Sequence, residues 1–358
     1  MYFSIGPKER KGDFFNFEQE YKELKEAIYG PHRIIVIKGL RRTGKTSLMR
    51  VVYNEIKGPK IFIDTREIPE ITAKCVNLFM REIFLDYVKK EKILEAIFSY
   101  IKSIELGLKV TLRKERPILS KLLIEINEEL ERKGKKLTIF IDEAQVLKRV
   151  GFDRLLAFIY DRLKNFKVIL AGSEIGLLDE LIGIESGAPL YGRAKKIIEI
   201  KRLERDKSVQ FLKLGFSQVK KRVSEEEINE VVDKLDGIIG WLTAYGFYSL
   251  EKGHEEALKK TLTEGSRIIA DEIEKFLSNR KIARERYLSI LSLLSIKPLT
   301  WTEIERGLTV RGDKVPESRL FQLLESLQDY GFVEKANGHY KLSDPLIIGA
   351  VKLLTGRK

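Results

Sequence analysis

The chain of 358 residues is longer than one ordinary domain and carries a formal charge of +13, with 43% hydrophobic and 33% charged residues. A single cysteine, Cys75, and three scattered histidines exclude a disulfide framework and a zinc site of the usual spacing. No apolar run approaches the roughly 18 residues of a membrane span, and the first residues lack a secretory core, so a cytoplasmic protein without membrane contact is expected.

The positive excess lies towards the start. Residues 1–60 hold 13 basic and 7 acidic groups, a net +6. Asp13 to Leu24 leads into a helix that ends near Gly30, with Leu24, Ala27 and Ile28 on one face. An apolar strand, Ile34 to Ile37, follows. It runs into Gly39-Leu40-Arg41-Arg42-Thr43-Gly44-Lys45-Thr46 and then a helical stretch from Ser47 to Lys57. Strand, G-x-x-x-x-G-K-[ST] and helix in this order form the phosphate-binding P-loop. The two glycines let the backbone turn close to phosphate oxygens. The loop N–H groups and the positive helix end attract anions. Lys45 is expected to reach the β- and γ-phosphates and Thr46 to ligate Mg²⁺. The nucleotide-binding set is therefore Gly39, Leu40, Arg41, Arg42, Thr43, Gly44, Lys45, Thr46 and Ser47, with ATP or ADP and Mg²⁺ as cofactors.

Lys60 to Asp64 reads as a second strand. Residues 69–105 read as helical, Gly107 to Leu112 as a short β insertion, and residues 117–133 as helix. Leu137 to Ile141 is a buried strand closed by Asp142-Glu143. That is the acidic partner a P-loop requires: Asp142 for the metal, Glu143 to polarise the attacking water. Val168 to Ala171 is a fourth strand, closed by Gly172-Ser173-Glu174, and Ile197 to Ile200 a fifth. Ser173 is placed to sense the γ-phosphate. Arg193, just before the fifth strand, is placed to reach a phosphate of a neighbouring subunit or of its own. Apolar strands alternating with helices predict an α/β fold with a parallel sheet covered on both faces.

Beyond Leu203 the strands stop. Asp206 is expected to cap a helix, Ser224 to Glu227 reads as a capping box, and residues 206–281 are helical with a break at Asp236 to Leu242. From residue 282, three helices and a hairpin read as a winged helix-turn-helix. The chain thus divides into a core domain (1–204), a helical lid (205–281) and a winged helix (282–358). In the winged helix the segment from Pro316 to Tyr330 is the recognition helix. Its buried stripe is Leu320, Phe321, Leu323, Leu324, Leu327 and Tyr330, and its outward residues carry one base against three acids. Weak or no DNA binding is expected of it. Contact with protein, either this chain or a partner, is the expected role of winged helix and lid.

Taken together, these motifs resemble the archaeal ATPase family of AAA+/STAND-like P-loop NTPases. The marks are the P-loop, Ile141-Asp142-Glu143-Ala144-Gln145, Gly172-Ser173-Glu174, Pro189-Leu190-Tyr191-Gly192-Arg193, Gly237 to Leu242, and Leu342-Ser343-Asp344-Pro345-Leu346. The resemblance implies a sheet of order 5-1-4-3-2, a lid, a C-terminal winged helix, ATP and Mg²⁺; the expected function is a slow Mg²⁺-dependent ATPase whose nucleotide state moves lid and winged helix. The alternatives are a nucleotide-gated switch and a DNA-binding regulator. Two positions differ from the family pattern. Phe17 stands where an arginine precedes the glutamate of the N-terminal box, and Ile239 stands where the lid has a proline near the adenine.

Overall fold

The structure, a computed structural model, describes residues 1–90, 115–184 and 186–356. The β insertion expected at 107–112 and the end of the preceding helix lie outside the described residues.

Five parallel strands form the central sheet: β1 (Ile34–Lys38), β2 (Lys60–Asp64), β3 (Leu137–Asp142), β4 (Phe166–Gly172) and β5 (Lys195–Glu199). Their order is β2-β3-β4-β1-β5, which read from the other edge is the expected 5-1-4-3-2. Alternate residues of a strand point to opposite faces. Ile35 and Ile37 therefore join one core, with Phe140 and Ile169, under α1 (Glu18–Tyr29) and α2 (Lys45–Glu55). Ile34 and Val36 join the other, with Ile139, Ile141, Val168 and Leu170. Helices α3 (Ala73–Lys90), α4 (Glu115–Arg132) and α5 (Phe152–Arg162) cover it, with α6 (Ile175–Leu181) after β4. Each apolar side chain so buried contributes about 1.5–3 kcal/mol. Every residue of β3 and β4 is buried, which explains why both read as unbroken apolar runs rather than alternating ones.

The lid comprises α7 (Arg205–Gln218), α8 (Glu225–Leu235), α9 (Ile239–Ser249) and α10 (His254–Ser278). The capping box forms as expected: Ser224 Oγ accepts from Glu227 N at 3.1 Å and Glu227 Oε2 from Ser224 N at 2.8 Å. Asp206 does not cap α7. The N-cap is Glu204, and Asp206 sits in the first turn, where its charge opposes the positive helix end. The chain start also packs on the lid: the Phe3 ring lies 5.8 Å from Phe211 and 4.9 Å from Phe216.

The winged helix comprises α11 (Arg284–Leu294), β6 (Leu299–Thr300), α12 (Trp301–Val310), α13 (Glu317–Asp329) and the hairpin β7 (Val333–Ala336) and β8 (His339–Leu342). Leu320, Leu323, Leu324 and Leu327 are buried in α13 as expected, but Phe321 is 58% exposed. It falls on the outer side of the helix, one position from Leu320. A last helix, α14 (Ile347–Thr355), was not legible beforehand. It packs on α10, where Ser266 Oγ donates to Leu346 O at 3.2 Å. No helix among the described residues is long and apolar enough to cross a membrane.

Candidate active site

The site lies at the C-terminal ends of β1, β3 and β4. After β1 the backbone must pass close to the segment following β5. A Cβ on Gly39 would stand 2.3 Å from Ile200 O, so only glycine fits there. Gly44 holds φ +104° at the N-cap of α2, a left-handed conformation that glycine adopts without strain. These two residues let the loop turn tightly into the start of α2.

Lys45 is buried and turned into the loop itself. Its Nζ donates to Gly39 O at 2.9 Å and Leu40 O at 2.5 Å. Burial pushes its pKa down to about 8, against the pull of Glu143 and Asp142. A phosphate brought to the loop would replace those two carbonyls with a charge-assisted bond. Thr46 Oγ1 donates to Asp142 Oδ2 at 2.7 Å, so both expected metal ligands meet.

Asp142 is fully buried, and desolvation raises the pKa of its carboxyl. Besides Thr46 its partners are the Glu143 N–H at 3.1 Å and the Arg66 guanidinium at 3.6 Å. A buried carboxylate next to a hydroxyl, with its one cation partner at 3.6 Å, fits a hard divalent ion. Mg²⁺ needs only one or two such protein oxygens when phosphates and waters supply the rest. Bound there, Mg²⁺ would neutralise charge on the phosphate oxygens.

Glu143 is held by an unusual backbone. It adopts φ 50°, ψ 42°, a left-handed conformation in a non-glycine residue at the turn after β3. Thr65 Oγ1 donates to its carbonyl at 3.0 Å. Its carboxylate Oε2 accepts from Gln145 Nε2 at 2.7 Å and from Ser173 Oγ at 2.9 Å. Ser173 therefore joins the site by holding the acid that faces the cradle.

Lys45, Thr46, Glu143 and Ser173 line a cavity of about 610 Å³, a volume suited to a nucleotide. Phe15, Ile239 and Tyr248 also line it. Ile239 stands at the mouth of the loop, within 3.8 Å of the Cβ position of Gly44, and Phe17 within 3.5 Å. Ile239 thus lines the cavity, while Phe17 is buried behind Gly44. Ser47 also lines it, and its Oγ accepts from Lys8 N at 2.9 Å, fastening the chain start over α2.

Arg193 stands apart from these groups. Its Nε and Nη2 donate to Asp161 at 2.9 and 2.6 Å. It lies before β5, whose Lys195 is level with Ile34 at the start of β1. A five-residue strand at roughly 3.3 Å per residue separates it from the P-loop of its own chain.

One site residue, Arg66, and several contacts escaped the sequence. Arg66 pairs with Asp64 at 2.8 and 2.5 Å and reaches towards Asp142, because Asp64 and Asp142 are level on adjacent strands. Only the strand order reveals that neighbourhood. Arg41 and Arg42, which could have been solvated, are both engaged. Arg41 donates to Glu174 and to Tyr330 O, each at 2.7 Å, while Arg42 donates to Glu272 at 2.6 Å and lies over the Trp241 ring at 4.4 Å. The P-loop therefore touches the fourth strand's end, the lid and the winged helix at once.

Residues 14–244 match the sequence model of an ATPase domain found predominantly in Archaea, and residues 281–343 match the C-terminal winged helix-turn-helix domain of MCM proteins. No curated protein matches. A Walker-type ATPase of Pyrococcus abyssi has a similar structure, with TM-score 0.79 and 31% identity over 98% of this chain and 100% of that one. The ORC2 protein of Aeropyrum pernix, in complexes with ADPNP and ADP, shares the fold with TM-score 0.61 and 11% identity over 99% and 97% of the two chains. The chain belongs to the archaeal ATPase family, with a P-loop ATPase domain followed by a C-terminal winged helix.

Proposed function

We propose that this ATPase hydrolyses Mg·ATP slowly and that its nucleotide state moves the lid (205–281) and the winged helix (282–358) against the core (1–204). The observation that carries the proposal is the pair of arginines inside the P-loop. Arg41 bonds Tyr330 O of the winged helix and Arg42 bonds Glu272 of the lid, so a loop that rearranges around phosphate must disturb both contacts. The slow rate follows from the resting arrangement. Lys45 is occupied by loop carbonyls and the Glu143 carboxylate already accepts two hydrogen bonds, so both must be released before they act. A nucleotide-gated switch is the limiting case of the same arrangement.

Residue roles follow. Lys45 and the loop residues 39–47 bind the phosphates. Thr46 and Asp142 hold the metal, Glu143 polarises the water, and Ser173 fixes Glu143. The recognition helix α13 ends against α6 of the core, where a Cβ on Gly176 would collide with Asp329, so this end of α13 faces protein and not a groove of DNA.

The motion has a built-in reporter. Trp241 of the lid is buried and donates to Asp344 of the winged helix at 2.8 Å while stacked by Arg42. In a Trp301→Phe background, Trp241 emission is expected to shift on adding Mg·ATP and to shift little when Lys45→Ala blocks binding. An unresponsive Trp241 in a chain shown to bind ATP would end the coupling proposal. Asp344→Ala is expected to cost about 1.5–3 kcal/mol, because it strips a charged acceptor from a buried N–H. Chemical denaturation followed by circular dichroism measures this.

A further inference from the structure

All five strands of the sheet are parallel, so the connections that enter them lie together along one edge, opposite the nucleotide. That edge is rich in cations, and most have a structural task. Lys60 donates to Ile56 O and Tyr53 O at the end of α2, Arg33 to Ile159 O at the end of α5, and Lys167 to Ala27 O and Gly30 O at the end of α1. Cations at helix C-termini satisfy free carbonyls and oppose the helix dipole. Arg132 and Lys133 pair with Glu129, and Arg193 with Asp161.

A remainder is left over. Lys57, Lys135, Lys136, Arg162 and Lys164 are exposed and have no ion-pair partner among the described residues. All five border β2, β3 and β4, which are neighbours in the sheet. The connections themselves, residues 56–59, 133–136 and 163–165, contain five lysines (57, 133, 135, 136 and 164) and no carboxylate. The nearest exposed acids in sequence are Glu55, Glu131 and Asp161, of which Glu55 pairs with Lys25 and Asp161 with Arg193. The backbone holds the row in place: Thr138 N donates to Pro59 O at 3.0 Å and Leu137 N to Asn165 O at 2.8 Å. The charge is concentrated enough to act inside the fold. Burial, with a smaller push from the nearby Lys136, lowers the Lys167 ammonium to about 8.

We propose that this edge binds the sugar–phosphate backbone of duplex nucleic acid, without reading sequence. Loops on neighbouring strands stand roughly 4.8 Å apart, so those of β2, β3 and β4 span roughly 10 Å. Over that length a duplex presents about six phosphate charges, one per roughly 1.7 Å of axis. The row offers fixed cations at that scale and no side chain that enters a groove. A membrane surface fits less well. None of the large apolar residues exposed in this protein lies in these connections, and interfacial binding draws on buried apolar area. The surface lies on the far side of the core from the winged helix contacts with Arg41, so nucleotide and nucleic acid would be held on opposite edges of one sheet.

The test uses the full chain and a mixed-sequence DNA duplex, followed by fluorescence anisotropy across a salt series. The chain with Lys57, Lys135, Lys136 and Lys164 all changed to alanine is expected to bind at least about tenfold more weakly. Its plot of log affinity against log salt should be shallower by about four, one unit per lost phosphate contact. Its ATP turnover and melting temperature should match the parent, since all four side chains are exposed and unpaired. A companion variant with Lys314→Ala and Arg319→Ala in the winged helix should bind like the parent. The proposal is overturned if the four-lysine variant keeps the parental affinity and slope, or if the winged-helix variant carries the loss. It is also overturned if the parent ignores DNA and the four lysines instead govern binding to anionic phospholipid vesicles.

Discussion

Glu143→Gln is expected to leave Mg·ATP binding near the parental value and to lower turnover by about 10²–10⁴-fold, the range contributed by a positioned general base. The substitution preserves shape, and the left-handed backbone at this position is set by the Thr65 contact to the carbonyl, which the side chain does not make. An amide oxygen can still accept from Ser173 or Gln145. What it cannot do is carry the negative charge that draws a proton from water. Lys45, Thr46 and Asp142 are untouched, so the phosphates and metal keep their protein ligands. Lys45→Ala is the complementary variant, and there the affinity itself should weaken. Isothermal titration with ATP and steady-state phosphate release separate the two. If Glu143→Gln turned over at the parental rate, the base would have to be sought elsewhere in the cavity, and the argument from strand β3 would fail.

The reason such a variant could be named from sequence is local. A P-loop and the acids closing β3 are short, contiguous motifs, and their chemistry constrains residue type at fixed spacing. Strand order is a different matter: it is implied by the family resemblance alone, and in the fold the P-loop strand and the acidic strand sit on either side of β4. The residues that escaped are those whose neighbours lie far along the chain. Arg41 meets Tyr330 only because the winged helix docks on the core. Arg66 approaches Asp142 only because β2 is level with β3. Apolar residues crowd one part of α13 and suggest that Phe321 is inside, yet the helix turns about 100° per residue and only one stripe can face the core. Asp206 failed as a cap for a simpler reason: the helix begins earlier, at Arg205. Periodicity finds an element more reliably than its first residue.

Arg193→Ala is expected to leave ATP affinity unchanged and to slow turnover by about 10³–10⁵-fold wherever copies of the chain associate, the range for arginine fingers. We infer action in trans because the alternative fails on distance. Arg193 stands at the entry end of β5, a full strand length from the P-loop of its own chain. No side-chain rotation carries a guanidinium across the sheet. A neighbouring copy could present its cradle to this end. The residue is also prepared for release, since its partner Asp161 is half-exposed and a surface ion pair is worth only about 0–1 kcal/mol. Asp161→Asn should therefore free Arg193 and raise turnover at a given protein concentration. The decisive measurement mixes two inactive chains. Lys45→Ala supplies an intact Arg193 and Arg193→Ala supplies an intact P-loop, so activity should reappear in the mixture and rise with concentration. A chain that stays monomeric, with turnover unchanged by Arg193→Ala at every concentration, would leave Arg193 as the far-end partner of Asp161 and nothing more.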